Sequence, residues 1–185
     1  MEWLLLLHQI PPNPPYLRAK VMKRLTQLGA LGVKNSAYLL PHSDDSVEDF
    51  EWLRREIQQG GGEGWVFRCA AVSGLSDASI QDNFRRLRAA DYAALAAEAR
   101  AVLDSPAGPA FQKLKRRYED VRSIDFFDAA GRQEMEILMN ELERVLHSGE
   151  APVAAPNQYQ GRVWVTRRGI KVDRIGQEER VGQHR

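Results

Sequence analysis

The chain is poor in the residues that carry most site chemistry. Its single cysteine, Cys69, excludes an intrachain disulfide and any paired-cysteine metal motif. Its four histidines, His8, His42, His147 and His184, stand far apart, so no zinc motif is written along the chain. No stretch approaches the roughly 20 apolar residues that a membrane helix needs. The apolar run near the start, Trp3 to Leu7, follows Glu2, where a signal peptide would carry cations. The formal net charge is only +1, which argues against a globally basic nucleic-acid binder and leaves that function to local segregation of charge. Together these absences predict a chain of the reducing cytoplasm with no membrane partner.

What is present divides into a strand-rich first part and a helical second part. Trp3 to Gln9 has continuous apolar residues, the pattern of a central strand covered on both faces. Pro11, Pro12, Pro14 and Pro15 end it and lead into a helix whose Leu17, Val21, Leu25 and Leu28 recur at helical spacing. Gly29 and Gly32 stop that helix. Two short strands, Ala30 to Val33 and Ser36 to Leu40, fold back over Lys34 and Asn35. A helix carrying Val47, Phe50, Leu53 and Ile57 follows, and Gly60, Gly61 and Gly62 turn it into a second buried strand over residues 64–72. This order, βαββαβ, is the ferredoxin-like pattern, with both helices on one face of an antiparallel sheet. Later helices or a second subunit are expected to cover the other face.

From Ser76, a good N-cap, the chain is helical. Ile80, Phe84, Leu87, Leu95 and Val102 mark one helix. Phe111, Leu114, Tyr118 and Val121 mark a second, and Met135, Leu138, Leu142 and Leu146 a third running from about Phe127. The expected class is therefore α+β: a ferredoxin-like domain at 1–74, a helical extension of about three helices packed on it at 75–149, and a linker at 150–158. An unfinished β-hairpin with a disordered tail follows at 159–185.

Candidate chemistry is sparse. Cys69 has no histidine beside it in the sequence and reads as a small core residue. The acidic block Asp44, Asp45, Glu48 and Asp49 falls at a helix start, where capping and the helix dipole favour acids without any metal. The three glycines at 60–62 lie between a helix and a strand, the reverse of a phosphate loop. No catalytic group, metal site or cofactor is expected. Cations are segregated, however. Arg18, Lys20, Lys23, Arg24 and Lys34 form one basic stretch almost free of acids, and Lys113, Arg116 and Arg117 form another on a later helix. Such surfaces suit phosphate contacts, with DNA as the partner.

Four stretches, WLLLLHQIP, YLRAKVMKRLTQLGALGVKNSAYLLP, GWVFRCAAV and YQGRVWVTRRGIKVDRI, resemble the ChrB family of chromate-resistance regulators over residues 1 to about 175. The second stretch is the most specific. In that family the amino-terminal region is similar to the central ferredoxin-like domain of PaaX-type repressors. The resemblance implies a cytoplasmic, DNA-associated transcriptional regulator of a chromate efflux operon; a homodimer is expected, in which the two basic helices would present several phosphate-contacting surfaces. It also implies a carboxy-terminal domain linked to the chromate oxyanion, of which Arg162, Arg167, Arg168, Lys171 and Arg174 are the cations present here. Lys171 stands where the family has a histidine before Val-Asp-Arg, and a polar tail follows at once. The sensory domain is therefore expected to be largely missing, and chromate is expected not to release this chain from DNA.

Two alternatives come from the fold. Metal-dependent nucleases of ferredoxin-like fold need an aspartate at the end of the first strand, where this chain has His8, Gln9 and Ile10. A dimerisation scaffold without DNA affinity is the other.

Overall fold

Apolar residues of high β propensity open the chain and form β1 (Trp3–Gln9), which stops before Pro11 and Pro12. The structure, a computed structural model, describes residues 1–13, 15–149, 164–165, 170–172 and 178–180. Helix α1 (Pro15–Gln27) begins on proline and buries Leu17, Val21 and Leu25, four residues apart along one stripe. It ends in a Schellman motif: Ala30 N–H donates to the Leu25 carbonyl and Gly29 N–H to that of Thr26, each at 3.0 Å, with Gly29 at φ +66°. Next come β2 (Leu31–Lys34), β3 (Ala37–Pro41), α2 (Asp44–Gln59) and β4 (Glu63–Cys69). The Ser43 hydroxyl caps α2 by accepting from Ser46 N–H at 3.1 Å.

The four strands form one sheet in the order β2-β3-β1-β4, with every neighbouring pair antiparallel. Leu5 lies opposite Leu39 and Phe67, and Leu7 opposite Ala37 and Trp65. Side-chain alternation then separates two faces. Leu4, Leu6 and Ile10 join Leu17, Val21 and Leu25 of α1 and Phe50, Leu53 and Ile57 of α2 in one core. On the other face Trp3 and Leu39 pack against Ile80 and Phe84 of α3 (Asp77–Asp104), with Phe127 against the Trp3 ring.

That cover is incomplete, which corrects the expectation of two strands buried on both faces. Leu7, Trp65 and Phe67 are 37, 45 and 46% exposed. The physical reason is position: β4 is an edge strand, and α3 packs on the Trp3 end of the face rather than the Leu7 end.

Helices α3, α4 (Gly108–Ser123) and α5 (Arg132–Gly149) share a second core built on Tyr92, Leu95, Phe111, Leu114, Met135 and Leu142. Helix α5 starts at Arg132, later than its apolar pattern predicts. Phe126 and Phe127 are drawn instead into the aromatic cluster around Phe84, and the chain turns through Asp128 at φ +51° and Gly131 at φ +91°. The Asp125 carboxylate secures the turn, accepting from Ala129 N–H at 3.0 Å and from the Tyr92 hydroxyl at 3.1 Å. Among the described residues no helix is long and apolar enough to cross a membrane.

The chain divides into the units Met1–His147 and Ser148–Arg185. In the second, β5 (Trp164–Val165), β6 (Ile170–Val172) and β7 (Glu178–Arg180) form an antiparallel sheet in that order. A third strand therefore stands where a polar, unstructured tail was expected. Backbone pairing along the second edge of β6 requires no apolar periodicity. The expected linker and the candidate anion-binding Arg162, Arg167, Arg168 and Arg174 lie outside the described residues, and Lys171 belongs to β6.

Candidate nucleic-acid interface

Because Leu17, Val21 and Leu25 hold one stripe of α1 against the sheet, its cations leave from the remaining surface. Two of them meet α2. Lys20 forms an ion pair with Glu56, and Arg24 one with Asp49 at 2.9 Å, its guanidinium lying 5.8 Å from the centre of the Trp52 ring. Among the described residues Arg18 and Lys23 form no ion pair, and neither does Lys34 at the end of β2. The basic stretch therefore splits into a part countered by α2 and a part available to phosphate.

The α4 set splits in the same way. Arg117 pairs with Glu98 of α3, and this hydrogen bond, with the added charge of Lys113, holds the Glu98 carboxyl below its ordinary pKa. Arg116 forms no ion pair among the described residues. The two helices approach at their carboxyl ends, where Gly29 meets Ile124. A cleft of about 410 Å³ there is lined by Arg24, Arg88, Asp91 and Asp120 among others. With Arg88 and Asp91 paired at 3.0 Å its charge is mixed, so it adds little cationic surface.

Two features escaped the sequence reading. Asp49 belongs to the acidic block read as helix capping, yet it and Glu56 lie seven residues apart on α2 and so share the face turned toward α1. Their spacing was the available signal. His8 was set aside for want of a histidine partner. It lies buried, with its ring stacked on Tyr38 at 5.6 Å and 13° between planes. Burial, and then the charge of Arg18, lower its pKa from the ordinary value of 6.5. No group of three or more His, Cys, Asp or Glu side chains that could hold a metal occurs among the described residues.

Residues 18–104 match the family model described as Protein ChrB, N-terminal. The chain is 27% identical over 189 residues to Protein ChrB of Cupriavidus metallidurans (strain ATCC 43123 / DSM 2839 / NBRC 102507 / CH34), an alignment covering 94% of this chain and 58% of that protein. The chain thus spans a little over half the length of that relative. No solved structure matches the chain. The resemblance to ChrB read from the sequence is borne out.

Proposed function

We propose that this relative of ChrB is a non-catalytic, DNA-binding transcriptional regulator tied to chromate resistance, and that it works as a cytoplasmic homodimer. The relationship to ChrB over 94% of the chain carries this reading. The order of elements and strands in the first sheet supports a ferredoxin-like domain for residues 1–74. The α1 surface supports the contact with DNA, and within it Arg18, Lys23 and Lys34 rank first. Glu56 and Asp49 already counter Lys20 and Arg24. The homodimer would form through the open edge of β4, whose unpaired backbone groups and exposed Phe67 offer a strand to a second copy.

Binding through phosphate makes a quantitative demand, because each neutralised phosphate releases counterions. Replacing Arg18, Lys23 and Lys34 together by glutamate is expected to weaken binding to the promoter fragment. It should also flatten the salt dependence of log K by up to about 0.9 per lost contact. A gel-shift series across salt concentrations measures both, and unchanged affinity in the triple variant refutes the assignment. The same series with magnesium, manganese and a chelator tests for cleavage, which this reading does not expect. Sedimentation of Phe67→Lys tests the dimer, and an unchanged dimer would exclude the β4 edge.

A further inference from the structure

The first sheet has two edges, and they are built differently. β2 is four residues long, and its register against β3 shifts between Gly32 and Lys34. Shortness and irregularity of this kind blunt an edge against further pairing. β4 is seven residues long, and each of them, Glu63 to Cys69, faces a residue of β1 with no shift of register. Among the described residues nothing pairs with its outer side. A long, regular edge is a template for another strand.

The sequence of that edge is complementary to itself. Two identical copies close on a two-fold axis, and joining two antiparallel edges into one sheet sets the axis perpendicular to it. Residues facing each other then share a face of the sheet, so the axis passes through a residue and not between two. Only Val66, the middle of β4, lets the whole strand pair. Trp65 then faces Phe67 of the second copy, Glu63 faces Cys69, and Gly64 faces Arg68. An axis at Trp65 would set Glu63 against Phe67, and one at Phe67 would set Val66 against Arg68. Within each copy Leu7 already lies opposite Trp65 and Leu5 opposite Phe67. The pairing about Val66 therefore joins Leu7 and Trp65 of one copy to Phe67 and Leu5 of the other in a continuous apolar row, and it covers the residues left exposed on that face. On the helix face, a Cβ built on Gly64 would lie 3.2 Å from Arg54 Cγ, and Arg54 donates twice to the Glu51 carboxylate. The absent side chain leaves room for Arg68 of the second copy beside that carboxylate.

We propose that two copies of the chain join antiparallel through β4 about Val66, so that the four strands of each form one sheet of eight. This rests on the homodimer reading above and specifies how the second copy is seated. A two-fold perpendicular to the sheet leaves both α1 helices on the same face, so Arg18 and Lys23 of both copies are directed to one duplex.

Disulfide cross-linking of the full chain tests the register. Facing Cα atoms of an antiparallel pair lie about 4.5–5.5 Å apart, within reach of a disulfide. Glu63→Cys places a thiol opposite the native Cys69 of the second copy. Mild oxidation should turn most of the chain into a covalent dimer that dithiothreitol reverses. The parent should not cross-link, and neither should Glu63→Cys combined with Cys69→Ser, because like positions at the strand ends lie about 20 Å apart across the axis. Trp65→Cys, which faces Cys69 only if the axis is at Phe67, should not cross-link either. Circular dichroism checks that each variant folds. Sedimentation of the parent separates the two claims. A monomer overturns both the homodimer reading and this proposal, whereas a dimer without a cross-link in Glu63→Cys overturns the register alone. Cross-linking of the parent or of Trp65→Cys overturns it as well. In the gel shift the oxidised Glu63→Cys dimer should bind the promoter fragment at least as tightly as the parent, and a loss of about tenfold or more overturns the placing of both α1 helices on one duplex.

Discussion

Arg24 Nη2 lies 2.9 Å from Asp49 Oδ1, so a cation of the surface proposed to meet DNA is held by a carboxylate of the neighbouring helix. Both side chains remain partly exposed, and such pairs contribute at most about 1 kcal/mol to stability. Their larger effect is on charge. Asp49→Asn is expected to leave the unfolding midpoint nearly unchanged, to tighten DNA binding and to steepen the salt slope by up to about 0.9, as Arg24 becomes available to a phosphate. Equal slopes for variant and parent would show that Arg24 stays turned toward α2.

Gly29 occupies the left-handed conformation that ends α1, and a Cβ built there would sit 2.7 Å from the Cβ of Ile124. Backbone strain alone costs an L-residue about 1–2 kcal/mol in this conformation, and the overlap with the α4 end adds to it. Gly29→Ala should therefore lower stability by at least that amount in urea unfolding. Gly61, also at positive φ but with no atom within 4 Å of such a Cβ, should show only the backbone contribution when changed to alanine.

Trp3 is fully buried, stacks on Phe84 at 6.1 Å with 5° between planes, and donates its indole N–H to Asp77 at 2.7 Å. Through these contacts β1 is tied to the first turn of α3. Trp3→Phe keeps most of the aromatic packing and removes the charged hydrogen bond, an expected loss of about 2–3 kcal/mol. In a double-mutant cycle, Asp77→Ala should destabilise the Trp3→Phe protein less than it destabilises the parent. Additive effects would deny the bond any role in stability.

His8 predicts a dependence on acid. Unfolded, its ring titrates near 6.5; folded, burial and Arg18 lower that value. Between the two values the unfolded chain holds more protons, so stability rises with pH. The neutral ring contributes fully above 6.5, and that contribution is lost as pH falls below it. His8→Phe, which retains a ring for Tyr38 to stack on, should show a shallower decline than the parent between pH 6.5 and 5, measured by urea unfolding at each pH. Superimposable curves would remove His8 from the acid response.

The stripe of Leu17, Val21 and Leu25, the serine cap at Ser76, the glycine stop at Gly29 and the sequence of strands and helices through β4 were all legible along the chain. Each rests on interactions within a few residues, where helical periodicity, capping geometry and glycine's access to positive φ act directly. The basic stretch was legible in the same way, as a list of charges. Which of them face solvent was not, because Asp49 and Glu56 meet Arg24 and Lys20 only through the packing of α2 beside α1. The exposure of Trp65 and Phe67 likewise depends on β4 lying at the sheet edge, and the later start of α5 on aromatic contacts that hold Phe127, beside Phe126, outside the helix. His8 shows the division most sharply. Alternation along β1 determines the face it lies on, while its burial, its stacking on Tyr38 and the charge of Arg18 acting on it required β1, β3 and α1 to converge.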